Sequence, residues 1–295
     1  MYLALGVITL LVVVIIHELG HAYAMARHGV AIKAMGIGIP IPGMTWRRVV
    51  KVNAKIGTAK NVPSRLTYDG GKHELHLPRP LARIVEALGL WISTNCPDGL
   101  EITLSPLLIG AYVKPSEEGA RACEELPYEA QAEIYGSGVW TNILLFLVMA
   151  AGLIFFKSGL TLEDGMIRSV ACIGLAVLLY RWKGLFCNYG VPAIGVWVAW
   201  SVGSLLFSPA DSGVMGPVGI MKTFAQATSV LDVLRLGASI SLGVGILNML
   251  PLMPLDGGRT MHAILRGVLP EKTANACEIV SSCAGVALIL FLLFM

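Results

Sequence analysis

Charged residues are scarce in this chain of 295 residues, of which 14% are Asp, Glu, Lys or Arg and 55% are hydrophobic. A mean hydropathy of +0.71 is too apolar for a soluble domain of this length and indicates a polytopic membrane protein. The formal net charge of +3 is too small to favour nucleic-acid binding, and no nucleic-acid-binding motif is present. We therefore expect the lipid bilayer, and no nucleic acid, as a partner.

The chain also lacks a cysteine framework and a basic N-terminal segment. Its six cysteines form no Cys-x-x-Cys pair and no spacing typical of a zinc ribbon or a secreted disulfide scaffold, so we interpret them as reduced. The chain opens with MYLALGVITLLVVVII, without the basic residues that begin a signal peptide. This apolar run is therefore predicted to be a retained membrane span.

Long apolar runs recur along the chain, and a bilayer core needs about 20 mostly apolar residues for each helix. This criterion predicts an all-α polytopic membrane protein with about six transmembrane helices. The third run is short and carries Arg168, so a merged or re-entrant arrangement of the third and fourth runs stays open. The predicted spans are Leu3 to Arg27, Gly136 to Phe156, Met166 to Arg181, Leu185 to Phe207, Leu231 to Leu250 and Cys277 to Met295.

This pattern predicts three segments: the first transmembrane helix in residues 1–29, a loop in residues 30–135, and helices two to six in residues 136–295. The loop is rich in Lys and Arg between positions 33 and 83, so the positive-inside tendency predicts that it lies in the cytoplasm. Alternating crossings then place any site at the end of the first span on the cytoplasmic side.

The loop contains stretches that differ in character from the spans. IGIPIPGM and LEITLSPLLIGAYV are short, apolar and punctuated by Gly and Pro, which predicts a small β-hairpin or re-entrant element after the first helix. The alternating stretch LEITLSPLL is a candidate sheet edge that an extended substrate joins as a strand. Pro80 to Asn95 has the periodicity of a helix that lies on a surface.

The first apolar run contains HELGH, His17 to His21, where lipid-facing residues would be expected. Residues four apart share a helix face, so His17 and His21 can present ring nitrogens to one metal ion while Glu18 reaches a water molecule. A charged side chain at the centre of a span costs about 2.5 to 3.5 kcal/mol on insertion scales, which indicates a function. We interpret the motif as the H-E-x-x-H site of zinc hydrolases; the alternative is hydrogen bonding to neighbouring spans.

A catalytic zinc site needs a third protein ligand beside an open position for water. The strongest candidate is Asp256, in the stretch NMLPLMPLDGGR at the end of the fifth span. Pro251 and Pro254 break the helix there, and the glycines at 257 and 258 permit close backbone approach, so the carboxylate can turn inward. With alternating crossings, HELGH and LDGG lie at the same depth.

These residues resemble the site-2 protease family, intramembrane zinc metalloproteases that cleave membrane-anchored substrates within or next to their transmembrane segments. The resemblance rests on HELGH in an early span and on N-x-x-P-x-x-P-L-D-G-G in a late one. IGIPIP resembles the family's membrane-associated hairpin, PLLIGAYVK its Pro-Leu-Gly-Gly-Tyr-Val element, GVWTN its Gly-Pro-x-x-Asn element, and GPVGI its Gly-Pro-Val-Gly stretch. Residues 45–98 match no part of the family pattern and form an insertion of undefined role.

The resemblance implies one Zn²⁺ per chain, with His17, His21 and Asp256 as metal ligands and Glu18 as general base and proton shuttle. It also implies an endopeptidase of regulated intramembrane proteolysis, whose substrates are single-span or membrane-anchored proteins.

Two amides inside apolar spans are candidates for the donor that stabilises the oxyanion of peptide hydrolysis. Asn248 is favoured because it lies two turns before Asp256. For Asn142, hydrogen bonding between helices is an equally good interpretation. The acidic residues from Glu117 to Glu133 are interpreted as the solvated face of an amphipathic segment.

Two other classes of function are alternatives. The first is a catalytically silent relative that binds membrane proteins, and the second is a metal-ion transporter. A transporter is expected to spread polar residues through several spans, whereas here they concentrate at HELGH and LDGG. A silent relative is expected to lose Glu18 or a ligand, and none is lost. His262, shortly after Asp256, lies either beside the metal ligands or on an ordinary helix face.

Overall fold

The computed structural model describes residues 2–38, 42, 44–50, 65–68, 73–76, 79–106, 110–156, 162–206 and 217–294. Its helices are α1 (Tyr2–Arg27), α2 (Arg79–Asn95), α3 (Glu117–Glu125), α4 (Tyr128–Phe155), α5 (Leu162–Arg181), α6 (Lys183–Leu185), α7 (Val191–Leu206), α8 (Pro217–Ala225), α9 (Val230–Asn248), α10 (Asp256–Val268) and α11 (Glu271–Phe294). Its strands are β1 (Ile32–Ile37), β2 (Trp46–Val50), β3 (Arg65–Tyr68), β4 (His73–His76), β5 (Leu100–Leu104) and β6 (Ala111–Pro115). A short π-helical segment, Phe186–Gly190, precedes α7.

The chain divides into two compact units. The helical unit comprises residues 1–24 and 126–295, and the sheet unit comprises residues 25–125. The sheet unit contains the strands together with α2 and α3, and the surface helix predicted from Pro80 to Asn95 is present as α2.

Among the described residues, four helices are long and apolar enough to cross a bilayer: Ala4–Arg27, Tyr128–Phe155, Val230–Asn248 and Glu271–Phe291. A fifth crossing is formed if Met166–Leu178 and Lys183–Ala199, which meet at a bend of 69°, count as one broken span. The mostly helical fold with a small sheet is therefore confirmed, but the six predicted spans are not. The third and fourth predicted spans lie on either side of this bend, because the chain turns in the short break between Leu178 and Lys183, which contains Arg181.

The four-stranded sheet has the order β2-β5-β1-β6, and β3 and β4 form a separate two-stranded sheet. β1 runs parallel to β5 and antiparallel to β6, while β2 runs antiparallel to β5. The hypothesis that β5 is a free edge for a substrate strand is wrong, because β2 and β1 pair with both of its sides. Part of the hairpin expected at IGIPIP, residues 39–41, lies outside the described residues.

α4 is the central helix of the helical unit and packs against α5, α9 and α10. α1 lies close to it because Gly20 has no side chain; a Cβ there would stand 2.6 Å from the Ser137 carbonyl oxygen. On another side, the Ser241 hydroxyl of α9 donates to the backbone carbonyl of Asn142 at 2.9 Å. α4 thus fixes the relative positions of α1 and α9.

A buried ion pair connects α4 to the bend that follows α5. Lys183 Nζ lies 3.3 Å from Glu133 Oε1, and the two side chains are 8% and 13% exposed. The same amine lies 5.5 Å from the centre of the Tyr23 ring on α1. The interpretation of Glu133 as part of a solvated face is therefore wrong, because this carboxylate points into the helical packing.

We expect Lys183→Met to destabilise the fold strongly, because breaking a buried pair leaves the Glu133 carboxylate uncompensated at a cost of about 3–5 kcal/mol. The double variant Glu133→Gln/Lys183→Met should recover most of this loss, since it buries no charge. Arg181→Met, at an exposed neighbouring position, is the control. The midpoint of thermal unfolding is measured in detergent for wild type and the three variants. Equal midpoints for wild type and Lys183→Met would contradict the expectation.

Candidate metal centre

Three buried side chains from distant parts of the sequence converge in the helical unit. His17 and His21 lie one turn apart on α1, and Asp256 is the first residue of α10. Their exposed fractions are 6%, 7% and 6%. Asp256 Oδ2 lies 3.1 Å from His17 Nε2 and 3.2 Å from His21 Nε2, and the two Nε2 atoms are 3.3 Å apart.

This nearly equilateral triangle fits a tetrahedral metal ion. Zinc binds imidazole nitrogen and carboxylate oxygen at about 2.0–2.1 Å, so tetrahedral ligand atoms lie about 3.3 Å apart. Without a cation the arrangement is poor: Asp256 Oδ2 is buried with no well-directed hydrogen bond. The two Nε2 atoms also face each other at 3.3 Å, so at most one of them can donate a proton to the other. The donor set, the spacing and the orphaned oxygen therefore all fit a bound metal ion.

A glycine of α4 leaves open the space beside the two imidazoles. A Cβ on Gly138 would stand 2.3 Å from His21 Nε2 and 2.6 Å from His17 Nε2. Both distances are far shorter than any real non-bonded contact, so no other residue type fits here without moving the ligands. Gly138 thus permits the close approach of α4 to the metal-ligand face of α1.

The second nitrogen of His21 is held by the backbone of α4. Nδ1 of His21 donates to the carbonyl oxygen of Ile134 at 2.8 Å. This bond puts the ring proton on Nδ1, so Nε2 keeps its lone pair for a metal. The contact orients the imidazole and selects its tautomer.

His17 has a corresponding partner in Asn142. The Asn142 amide nitrogen lies 3.1 Å from His17 Nδ1, while its Oδ1 is buried with no partner among the described residues. With the amide nitrogen and oxygen exchanged, Oδ1 accepts from Nδ1–H of His17 and leaves Nε2 free. The structure thus places Asn142 against the His17 imidazole, on the side away from Asp256.

Asp256 is delivered by a tightly packed turn between α9 and α10. Gly257 and Gly258 lie against this turn, where a Cβ would stand 2.1 Å from the Met249 oxygen and 2.4 Å from the Leu252 carbonyl carbon. Ser281 of α11 also holds the turn: its hydroxyl accepts from the Met253 N–H at 2.9 Å and donates to the Pro251 carbonyl at 3.2 Å. These contacts fix the point at which α10 begins.

The electrostatic surroundings favour the ionised carboxylate of Asp256. Burial by itself would raise the pKa of this group, but the charge that His21 and His17 can carry and their direct contacts lower its pKa well below the ordinary value. Its place in the first turn of α10 adds the favourable end of the helix dipole.

The remaining predicted residues occupy different positions. Glu18 is half-buried and close enough to His21, His17 and Asp256 to interact electrostatically with each of them. Asn248 donates from Nδ2 to the Val244 carbonyl of its own helix at 3.1 Å, so one of its two N–H groups is already used.

His262 is not among the three side chains that converge, and it contacts α11 instead. Its Nε2 lies 3.2 Å from Glu278 Oε2 of α11. Of the two interpretations of this residue, the structure therefore supports a contact between helices.

Three contributors to the site were not predicted from the sequence: the Ile134 carbonyl, the absent side chain of Gly138, and Ser281. A backbone carbonyl carries no sequence signal, and a serine in an apolar helix is common. Gly138 had a weak signal, because it opens the GVWTN stretch that resembles a family element.

The fold and the site together define a class: helical membrane proteins with a buried His–His–carboxylate metal site of the H-E-x-x-H type. The family model described as Peptidase family M50 matches residues 5–52 and 84–292. The chain belongs to this family, the site-2 protease family of zinc metalloproteases. The match and the apolar helices make it a multi-pass integral membrane protein. The gap in the match, residues 53–83, is narrower than the insertion of residues 45–98 inferred from the sequence, because the family model also matches residues 45–52 and 84–98.

Curated proteins from several bacteria align with part of the chain. A Helicobacter pylori protein, whose name marks it as a candidate zinc metalloprotease, is 33% identical over 95 residues, which are 31% of this chain and 26% of that protein. Zinc metalloprotease RasP of Bacillus licheniformis is 34% identical over 80 residues, 26% of this chain and 19% of that protein. Zinc metalloprotease RasP of Shouchella clausii is 32% identical over 82 residues, which are 27% of this chain and 20% of that protein. The chain thus matches about a quarter or less of the length of these relatives.

We expect Gly138→Ala to abolish metal binding, because the added methyl group overlaps the space shared by the two Nε2 atoms. Gly152→Ala on the same helix is the matched control, since its Cβ would meet only the Leu234 Cδ2 at an ordinary 3.7 Å. Elemental analysis of the purified proteins gives zinc per chain. Full zinc occupancy in Gly138→Ala would show that the metal does not lie at this site.

Asn142→Leu should weaken zinc binding by about 10- to 100-fold, the usual effect of losing a hydrogen bond behind a metal-ligating histidine. Asn142→Asp should stay within a few-fold of wild type, because a carboxylate also accepts from His17 Nδ1–H. Competition with a zinc chelator measures both affinities. Equal weakening by Leu and Asp would indicate a packing role for the amide instead.

Proposed function

We propose that this chain is a zinc-dependent intramembrane endopeptidase that hydrolyses peptide bonds in or near the transmembrane segments of membrane-anchored proteins. The observation that carries the proposal is the triangle of His17, His21 and Asp256 with Glu18 beside it. Membership of a zinc metalloprotease family supports zinc as the metal, with one ion per chain.

In this proposal His17, His21 and Asp256 are the zinc ligands. When bound, zinc supplies Lewis-acid chemistry: it lowers the pKa of a water molecule and polarises a peptide carbonyl. The imidazoles stay neutral and correctly turned because Ile134 and Asn142 hold their Nδ1 atoms. The carboxylate of Asp256 contributes the negative charge that offsets the charge of the cation.

Glu18 is the proposed general base. Its position beside the three ligands lets it take a proton from the attacking water molecule, whose oxygen forms the new bond to the carbonyl carbon. Glu18 then returns the proton to the amide nitrogen as the peptide bond breaks. One water molecule is consumed, and a carboxyl and an amino terminus are released.

The oxyanion that develops on the peptide carbonyl needs a donor, and Asn248 is the proposed one. The N–H that is not bonded to Val244 is available, or the side chain rotates to release both. For Asn142 we propose a positioning role behind His17 instead of oxyanion stabilisation, because its amide contacts the imidazole.

Membrane-anchored proteins are the proposed substrates because two ligands and the general base lie within Ala4–Arg27, a helix long and apolar enough to span the bilayer. A soluble peptide does not partition to such a depth. A transmembrane helix hides its own amides in hydrogen bonds, so the substrate must unwind locally before cleavage. The Lys- and Arg-rich region between 33 and 83 supports an active site that faces the cytoplasm.

Glu18→Gln should retain zinc and lose cleavage by about 10²- to 10⁴-fold, the range for removal of a general base. His17→Ala is expected to lose both zinc and cleavage. The chains are reconstituted in liposomes with a panel of single-span substrates, and products are identified by mass spectrometry beside zinc analysis. Equal cleavage by wild type and Glu18→Gln would remove Glu18 from the mechanism, and cleavage of soluble peptides alone would overturn the substrate class.

A further inference from the structure

The four-stranded sheet carries a basic cavity that has no part in the metal centre. Its volume is about 440 Å³, within the range of pockets that bind small molecules. Every residue that lines the cavity belongs to the sheet unit, and each of the four strands contributes at least one of them. The lining residues are Lys33, Ala34, Arg47, Glu101, Tyr112 and Lys114.

Positive charge dominates this cavity, with three cations facing one carboxylate. Arg47 Nε lies 3.9 Å from Glu101 Oε1, and the Arg47 side chain is 61% exposed, so this pair is loose and largely solvated. Lys33 and Lys114 have no ion-pair partner within the described part of the chain. The cavity therefore has a net positive field and open cationic groups, which suit an anionic ligand.

The chain connection brings the cavity residue Lys33 within a few residues of a helix that is apolar enough to cross a bilayer. β1 begins a few residues after the apolar helix α1, and the last turn of α1, residues 25–27, belongs to the sheet unit. Lys33 is the second residue of β1, so it lies at the strand end nearest to α1. Lys114 is the next-to-last residue of β6, which pairs with β1 and therefore ends at the same end of the sheet.

Aromatic side chains accompany the cations. Trp46, next to Arg47 on β2, is 53% exposed, and the Tyr112 ring lines the cavity itself. Trp and Tyr are enriched at the level of lipid headgroups because their rings combine an apolar body with a polar group. The strand register places Trp46, Arg47 and Tyr112 toward the opposite end of the sheet from Lys33 and Lys114. The sheet thus combines exposed cations with aromatic side chains along its length, which is the composition typical of a lipid interface.

We propose that this cavity binds the phosphate-bearing headgroup of an anionic phospholipid. The charge complementarity suits phosphate in general, and the attachment of the sheet to a membrane helix makes the bilayer its source. Juxtamembrane Lys and Arg contribute about 1 kcal/mol each with anionic membranes, which corresponds to about fivefold in affinity for each cation. Headgroup binding would hold the sheet unit at the membrane surface whether or not a metal ion is bound.

The test uses the full chain reconstituted in phosphatidylcholine with spin-labelled phosphatidylglycerol or phosphatidylcholine as the probe. Electron paramagnetic resonance gives the association of each labelled lipid with the protein. We expect wild type to select phosphatidylglycerol, and Lys33→Gln/Arg47→Gln/Lys114→Gln to lose most of this selectivity. The double variant Lys33→Arg/Lys114→Arg keeps the charge and should keep the selectivity, which distinguishes loss of the site from loss of the fold.

A second triple variant, Arg121→Gln/Arg266→Gln/Lys272→Gln, removes the same charge from exposed positions outside the cavity. It should retain the wild-type selectivity, and zinc content should be unchanged in all variants, because none touches the metal centre. Equal loss of selectivity in both triple variants would overturn the proposal, since net charge alone would then explain it.

Two further arms test the source of the anion. Inorganic phosphate and an oligoglutamate peptide are added to wild type in detergent, with binding measured by calorimetry. Weak or absent binding of both, with selectivity for phosphatidylglycerol in the bilayer, supports the lipid assignment. Binding of either soluble ligand without lipid selectivity overturns it, and assigns the cavity to free phosphate or to acidic peptides.

Discussion

The helical unit depends on one constraint: three polar ligand atoms must stay within 3.1–3.3 Å of each other inside an apolar helix packing. Burying such groups without partners costs about 1–3 kcal/mol for each one, and more when a charge is involved. A metal ion satisfies all three together. The atoms around them, the Ile134 carbonyl and the Asn142 amide, satisfy the remaining ring nitrogens. With a metal ion bound, the three ligand atoms all have a partner. Without one, their burial destabilises the fold.

α4 carries most of the structure that this network requires. It supplies the carbonyl behind His21, the amide behind His17 and the glycine that leaves room beside both rings. It also contacts α9, which precedes the turn to Asp256, and α10, which begins with Asp256. One helix thus sets the distance between the two histidines and the carboxylate, although it contributes no ligand itself. The geometry of the motif on α1 therefore depends on contacts that α4 provides.

The turn before Asp256 holds the carboxylate at a fixed position after the chain reverses direction between α9 and α10. Pro251 and Pro254 prevent the helix from continuing, and glycines allow three neighbouring helices to press against the turn backbone. The helices α7 and α11 approach the turn backbone at Gly195 and Gly285, as α10 does at its own glycines. A Cβ on Gly195 would stand 2.0 Å from the Met249 carbonyl oxygen, and one on Gly285 would stand 1.9 Å from the Met253 carbonyl oxygen. Dense packing with few alternative conformations is what a metal ligand at the start of a helix requires.

Residue order and composition are enough to predict the membrane class, the H-E-x-x-H motif and Asp256 as the third residue of the candidate site. These follow from local rules: hydropathy over a helix length, the four-residue helix repeat, and the breaking of a helix by proline. Order and composition did not determine the number of spans, the interior position of β5, or the buried pair of Glu133 with Lys183. Those features depend on how segments distant in the chain pack against each other, and hydropathy and periodicity carry no information about such pairings. For the same reason, the positions of Gly138, Ile134 and Asn142 around the histidines became visible only in the folded chain.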